Sequence, residues 1–156
     1  MRVLVTLAAF AALVAANPVV TAQCVPVGSG CPASGMDLTC SAPPTIGTTW
    51  NIGERNASIC GGTVANPAPM FTMFGGCFPT GIPLPPPLAC PSCVGCFVHA
   101  FPEYFTLQWS WPPRTLSLPI PNDPGLIGAT MCMQSYCGDM AAGCVCTGNA
   151  WQITIQ

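Results

Sequence analysis

The chain has 156 residues and a formal net charge of −2, with three Lys plus Arg, five Asp plus Glu, one histidine and only 5% of its residues charged. Nucleic acid is excluded as a partner, because displacing the counterions of a phosphate backbone needs clustered cations, and Arg2, Arg55 and Arg114 stand alone. Nineteen prolines and 16 glycines exclude helices of any length, since an interior proline removes a backbone donor and costs about 3 kcal/mol, so an all-β chain is expected.

Residues 1–22 read as a secretory signal peptide. Arg2 is its only charge, and the apolar run 3–16, broken only by Thr6, is too short to span a bilayer. Val20-Thr21-Ala22 puts small residues where a signal peptidase inspects, which makes Gln23 the expected mature N-terminus, with Val14-Ala15-Ala16 as an earlier cut. Gln23 before Cys24 argues against a lipoprotein anchor, and no later apolar stretch of about 18 residues suggests membrane insertion. Residues 23–156 are then one secreted or extracytoplasmic domain, at the cell surface or in the periplasm, with two arginines against five acids and a net charge of −3.

Twelve cysteines follow: Cys24, Cys31, Cys40, Cys60, Cys77, Cys90, Cys93, Cys96, Cys132, Cys137, Cys144 and Cys146. An even number in an exported chain reads as a disulfide framework of up to six bridges, whose connectivity stays open among roughly ten thousand pairings.

Seven strands are predicted in chain order. Segments 48–52, 70–74 and 96–101 come first. Between the last two, four prolines in 81–87 read as an extended polyproline-like surface connector. Phe105, Leu107, Trp109 and Trp111 then alternate with Thr106, Gln108 and Ser110, the period of a half-buried strand. After Pro112-Pro113, residues 115–120 alternate again, with Pro119 confining that strand to an edge across a hairpin or a corner between sheets. In 121–128, Asp123 can cap a single helical turn that Pro124 opens and Gly128 closes. Segments 129–136 and 151–156 complete the set. Seven short strands with turns between them predict a disulfide-stapled, two-sheet, immunoglobulin-like β-sandwich.

The stretch 118–128, Leu-Pro-Ile-Pro-Asn-Asp-Pro-Gly-Leu-Ile-Gly, followed by Gln134 and by Asn149-Ala150-Trp151-Gln152-Ile153-Thr154-Ile155, resembles the C-terminal module of many exported bacterial proteins. Gly30-Cys31-Pro32, Ile46-Gly47-Thr48-Thr49-Trp50, Met73-Phe74-Gly75 and Gly95-Cys96-Phe97 are similar to earlier parts of that module, though only the last 40 residues are distinctive. The resemblance implies a secreted β-sandwich of unassigned biochemical function, usually appended to larger surface or matrix proteins, with no catalytic residues to carry over. This chain departs from the pattern by standing almost alone behind its signal and by its many cysteines.

Metal binding is the sharpest alternative. Cys90, Cys93, Cys96 and His99 recur every third residue and offer four zinc ligands within ten residues. Structural zinc usually divides its ligands into two separated pairs, however, and one uniform spacing crowds a single turn, so disulfides are expected and no cofactor is assigned. An iron–sulfur cluster would need a fourth thiolate soon after Cys96, and covalent haem a histidine at Phe97. Met70, Met73, Met131, Cys132 and Met133 are soft copper ligands, but Met131 and Met133 share one strand face as core fillers while Cys132 points away, free to pair.

No catalysis is expected. His99 is the only histidine, no Gly-x-Ser-x-Gly elbow occurs, and nothing in the spacing of Glu103, Asp123 and Asp139 pairs two carboxylates. Asn56-Ala57-Ser58 is a single sequon in a polar loop. Trp109 and Trp111 share the face of Phe105 and Leu107, which places them in the core; exposed, they would form a stacking platform for sugar rings. The sequence thus predicts a non-catalytic structural or adhesive component of a surface or matrix. Its expected partners are surface or matrix proteins, polysaccharide or further copies of itself, with a metal-binding protein or a carbohydrate-binding module as alternatives.

Overall fold

A computed structural model of the chain describes residues 24–31, 37–55, 70–86, 88–91, 93, 95–101, 103–108, 114–139 and 143–156. The expected signal segment, the sequon, Trp109 and Trp111 lie outside the described residues. Among the described residues there are ten strands: β1 (Cys24–Gly28), β2 (Asp37–Cys40), β3 (Thr49–Arg55), β4 (Met70–Gly75), β5 (Cys77–Pro83), β6 (Phe97–Ala100), β7 (Tyr104–Gln108), β8 (Arg114–Pro119), β9 (Thr130–Asp139) and β10 (Cys144–Thr154). They form a five-stranded sheet in the order β1-β10-β9-β4-β7, a three-stranded sheet in the order β2-β3-β8, and the hairpin β5-β6.

The sandwich core lies where the first two sheets face each other. Leu38, Trp50, Ile52 and Leu116 from the small sheet pack with Phe74, Met133 and Ile153 from the large one. Local alternation explains each contribution. On β8, Leu116 is buried between exposed Thr115 and Ser117, and Pro119 ends this edge strand, where its missing N–H leaves no gap in a central ladder. β7 lies in the large sheet and β8 in the small one, so these two strands do not form a hairpin.

Polar side chains reinforce the contact between the sheets. Asn149, beside a register shift in β10, accepts from Leu38 N at 2.6 Å and donates to Leu38 O at 3.1 Å, and Trp151 Nε1 donates to the same carbonyl at 2.8 Å. The amide of Asn149 thus pairs with the backbone of β2 much as another strand would. The Cys24–Cys40 disulfide joins β1 to β2 beside it.

The expectation of two layers is incomplete, because β5-β6 covers the outer face of the large sheet. Residues 132–138 of β9 are all buried, so this strand is covered on both faces and does not alternate between core and solvent. Met131 and Met133 belong to the sandwich core, while Cys132 points the opposite way and is bonded to Cys77 of β5. Three strands escape the sequence reading: β1 and β2 are short and carry cysteines at their ends, and β5 contains two prolines.

Segment 81–87 is corrected in part. Gly81, Ile82 and Pro83 finish β5, with Ile82 and Pro83 opposite Val98 and Phe97 of β6. Gly81 has φ +69°, and a Cβ there would meet His99 Cε1 at 2.7 Å and Phe97 Cβ at 3.0 Å, so both backbone and packing require glycine.

The Asn-Asp-Pro segment forms the expected turn. Asp123 caps a 3-10 turn, Pro124–Leu126, by accepting from Gly125 N at 2.9 Å, and Gly128 follows at φ +84°. Asp123→Ala should lower stability by about 0.5 to 2 kcal/mol in urea unfolding and leave binding unchanged. Loss of a binding activity at unchanged stability would instead make the segment a site.

Candidate functional site

Sulfur concentrates on one side of the molecule. Cys90, Cys93 and Cys96, in the loop between β5 and β6, are bonded to Cys144, Cys146 and Cys31 respectively. With Met70, Cys137 and the aliphatic edge of Leu84 they form a second buried cluster. Cys137 is also disulfide-bonded, to a partner outside the described residues. The loop that carries the metal-like spacing is therefore fastened at three points, two to β10 and one to Cys31, three residues beyond the end of β1.

The four candidate zinc ligands do not converge. Each of the three cysteines has its own disulfide partner, and the His99 imidazole packs over Gly28 and Gly81 with Nδ1 at 3.0 Å from Phe78 O. Among the described residues, Cys31, Cys93 and Cys146 form a compact group of possible ligands, and all three are held in disulfides. The methionines weighed for copper are also dispersed: Met70 lies in the sulfur cluster, and Met131 and Met133 lie in the sandwich core.

Gln134 fixes the hairpin onto the large sheet. Its side chain is fully buried, and Oε1 accepts from His99 N at 2.7 Å and from Tyr136 Oη at 3.0 Å. Nε2 donates to Phe97 O and Gly148 O, each at 2.9 Å. Burial raises the Tyr136 phenol well above its usual pKa, so it stays protonated and donates. Tyr136 also stacks on Phe71, its cross-strand neighbour, at 5.3 Å.

One arginine lies inside the sandwich. Arg114 of β8 forms an ion pair with Glu54 of β3, its cross-strand neighbour, and their side chains are only 7% and 1% exposed. Thr72 of the opposite sheet donates to the other carboxylate oxygen of Glu54. With this pair buried, Glu103 and Asp123 are exposed acids on a surface poor in charge.

Exposed apolar side chains gather on the hairpin. Ile82, Phe97 and Phe101 are 46%, 38% and 52% exposed, and Phe101 meets half-buried Phe78 edge-to-face at 6.0 Å. Leu88 in the adjoining loop and Val25 on neighbouring β1 are exposed as well. The sequence reading missed this surface because it assigned 96–101 to an ordinary sandwich strand and 81–87 to a connector. The discernible signal was Phe97 and Phe101 following directly on a segment, 83–96, rich in proline and cysteine.

No family model matches the chain, and neither a curated protein nor a solved structure does. The disulfides fit an extracytoplasmic protein, and among the described residues no helix is long and apolar enough to cross a membrane.

Proposed function

We propose that the protein is a secreted, non-catalytic structural or adhesive component of a cell surface or extracellular matrix. The observation that carries this reading is the distribution of the disulfides. One joins the two sheets, one joins the hairpin to the large sheet, and three fasten the hairpin's loop, so every layer is covalently linked to its neighbour. Three of the enclosed loops span 53 to 55 residues and a fourth 65, a length at which a bridge stabilises by about 2 to 4 kcal/mol. Such cross-linking suits a support that must keep its shape outside the cell.

The hairpin is the surface this support presents, and contiguous exposed apolar residues are the usual sign of an interaction surface. Its partners are surface or matrix proteins, polysaccharide or further copies of the chain. Substituting Ile82→Ser together with Phe101→Ser changes two exposed side chains and should leave the melting temperature nearly unchanged. Retention of the purified protein on envelope and matrix fractions of the producing cells should fall several-fold. Undiminished retention of the folded variant would remove the hairpin as the adhesive surface.

A further inference from the structure

Two recesses open beside each other at the end of the sandwich opposite the sulfur cluster. The first, about 330 Å³, lies between the sheets and is walled by Trp50, Phe74, Leu118, Ile120, Met131 and Ile153, among others. Its volume falls within the range of small-ligand sites. The second, about 440 Å³, is lined by Phe74, Gly75, Gly76, Glu103, Thr130 and Met131. Phe74 and Met131 wall both.

Gly75, the last residue of β4, and Gly76 after it create the second recess. A Cβ on Gly75 would collide with the Phe101 carbonyl oxygen, whereas one on Gly76 would meet nothing nearer than Phe101 Cβ at 3.9 Å, so the space above Gly76 is open. Glu103 is held beside it through its backbone, whose N–H donates to Phe101 O at 2.9 Å and to Phe74 O at 3.2 Å. Among the described residues its carboxylate has no ion pair or hydrogen bond, and no other charged side chain lines either recess. An apolar chamber beside a single unneutralised carboxylate is complementary to one ligand chemistry. A carboxylate ligand would be repelled, and a neutral one could donate a hydrogen bond to Glu103 but would lack the attraction of opposite charges.

We propose that the two recesses together bind an amphipathic amine, with its aliphatic or aromatic body in the Trp50 chamber and its ammonium beside Glu103. The site adjoins the hairpin at Phe101, whose backbone N–H donates to Gly76 O at 2.8 Å, but it does not rest on the adhesive reading of that surface.

The test titrates the secreted, oxidised protein with hexylamine, hexanol and hexanoate, following the indole and backbone amide resonances of Trp50, Phe74 and Met131 by NMR. Hexylamine should bind about fivefold more tightly than hexanol, the scale of an exposed ion pair, and hexanoate most weakly. Glu103→Gln should abolish the preference for amine over alcohol and leave hexanol binding unchanged. Gly76→Leu should exclude the ammonium, and Ile120→Trp should fill the chamber and weaken both ligands. Equal binding of amine and alcohol by the unmodified protein overturns the proposal, as does a preference for hexanoate. Absence of shifts at Trp50, Phe74 and Met131, or amine binding that survives Ile120→Trp in a folded variant, overturns it too.

Discussion

Gln134→Leu should destabilise the protein by about 3 to 5 kcal/mol, a large part of the 5 to 15 kcal/mol that holds a domain folded. Leucine occupies similar volume but leaves the amide of His99, the carbonyl of Gly148 and the hydroxyl of Tyr136 without the partner they now have. Each buried group that loses its partner costs about 1 to 3 kcal/mol, partly relieved by local adjustment. Phe97 O is less affected, since Thr147 Oγ1 also donates to it at 3.0 Å. Gln134→Glu is the sharper experiment, because its shape is unchanged while an acceptor replaces the donor that faces two carbonyls. Burial and those carbonyls raise the pKa of such a glutamate when folded. Its protonated form is favoured in the native state, so stability is retained below the unfolded value of about 4.3 and lost as pH rises through the folded one. Urea unfolding of the Glu variant should therefore show stability recovering toward acid relative to the parent. A pH-independent difference between the two would show that Gln134 does not clamp the hairpin.

The strands legible in the sequence are those whose environment is simple. Residues 115–120 face the core on one side and solvent on the other, and Pro119 marks the edge, so period and punctuation agree with β8. Asp123 was legible because an N-cap is a local device that acts within three residues. The hairpin layer was not. Its evidence is a long-range amide, Gln134, whose backbone partners lie 14 to 37 residues away, and cysteines whose pairing no spacing reveals. The same limit applies to the site. Disulfides were expected at Cys90, Cys93 and Cys96, with a metal site including His99 as the alternative, but the spacing could not show that the three sulfurs are bonded to partners at least 53 residues away. Trp109 and Trp111 lie outside the described residues, so the choice between core and sugar platform rests on their alternation with Phe105 and Leu107 alone.

The Glu54–Arg114 pair was half visible, since Trp50, Ile52 and Glu54 fall on one face of β3, and a buried carboxylate there demands a partner. Glu54→Ala should cost about 3 to 5 kcal/mol, because it leaves a guanidinium almost enclosed by the sandwich without its counter-charge. The cavity left by this fully buried side chain adds to that cost. Replacing both partners, Glu54→Leu with Arg114→Leu, should recover most of that loss and may be compared directly by urea midpoint. Two leucines extend the alternating apolar faces of β3 and β8 beside Ile52 and Leu116, which already pair across the strands. What the double variant still lacks is the bond from Thr72, whose hydroxyl then faces leucine at a cost of about 1 to 3 kcal/mol unless it turns to a backbone carbonyl. Adding Thr72→Val should remove that remainder, so the triple variant should equal or exceed the parent in stability. If the double variant were instead less stable than Glu54→Ala, the pair would be a net source of stability in this sandwich, and its position between the two sheets would have to be explained by the attraction itself.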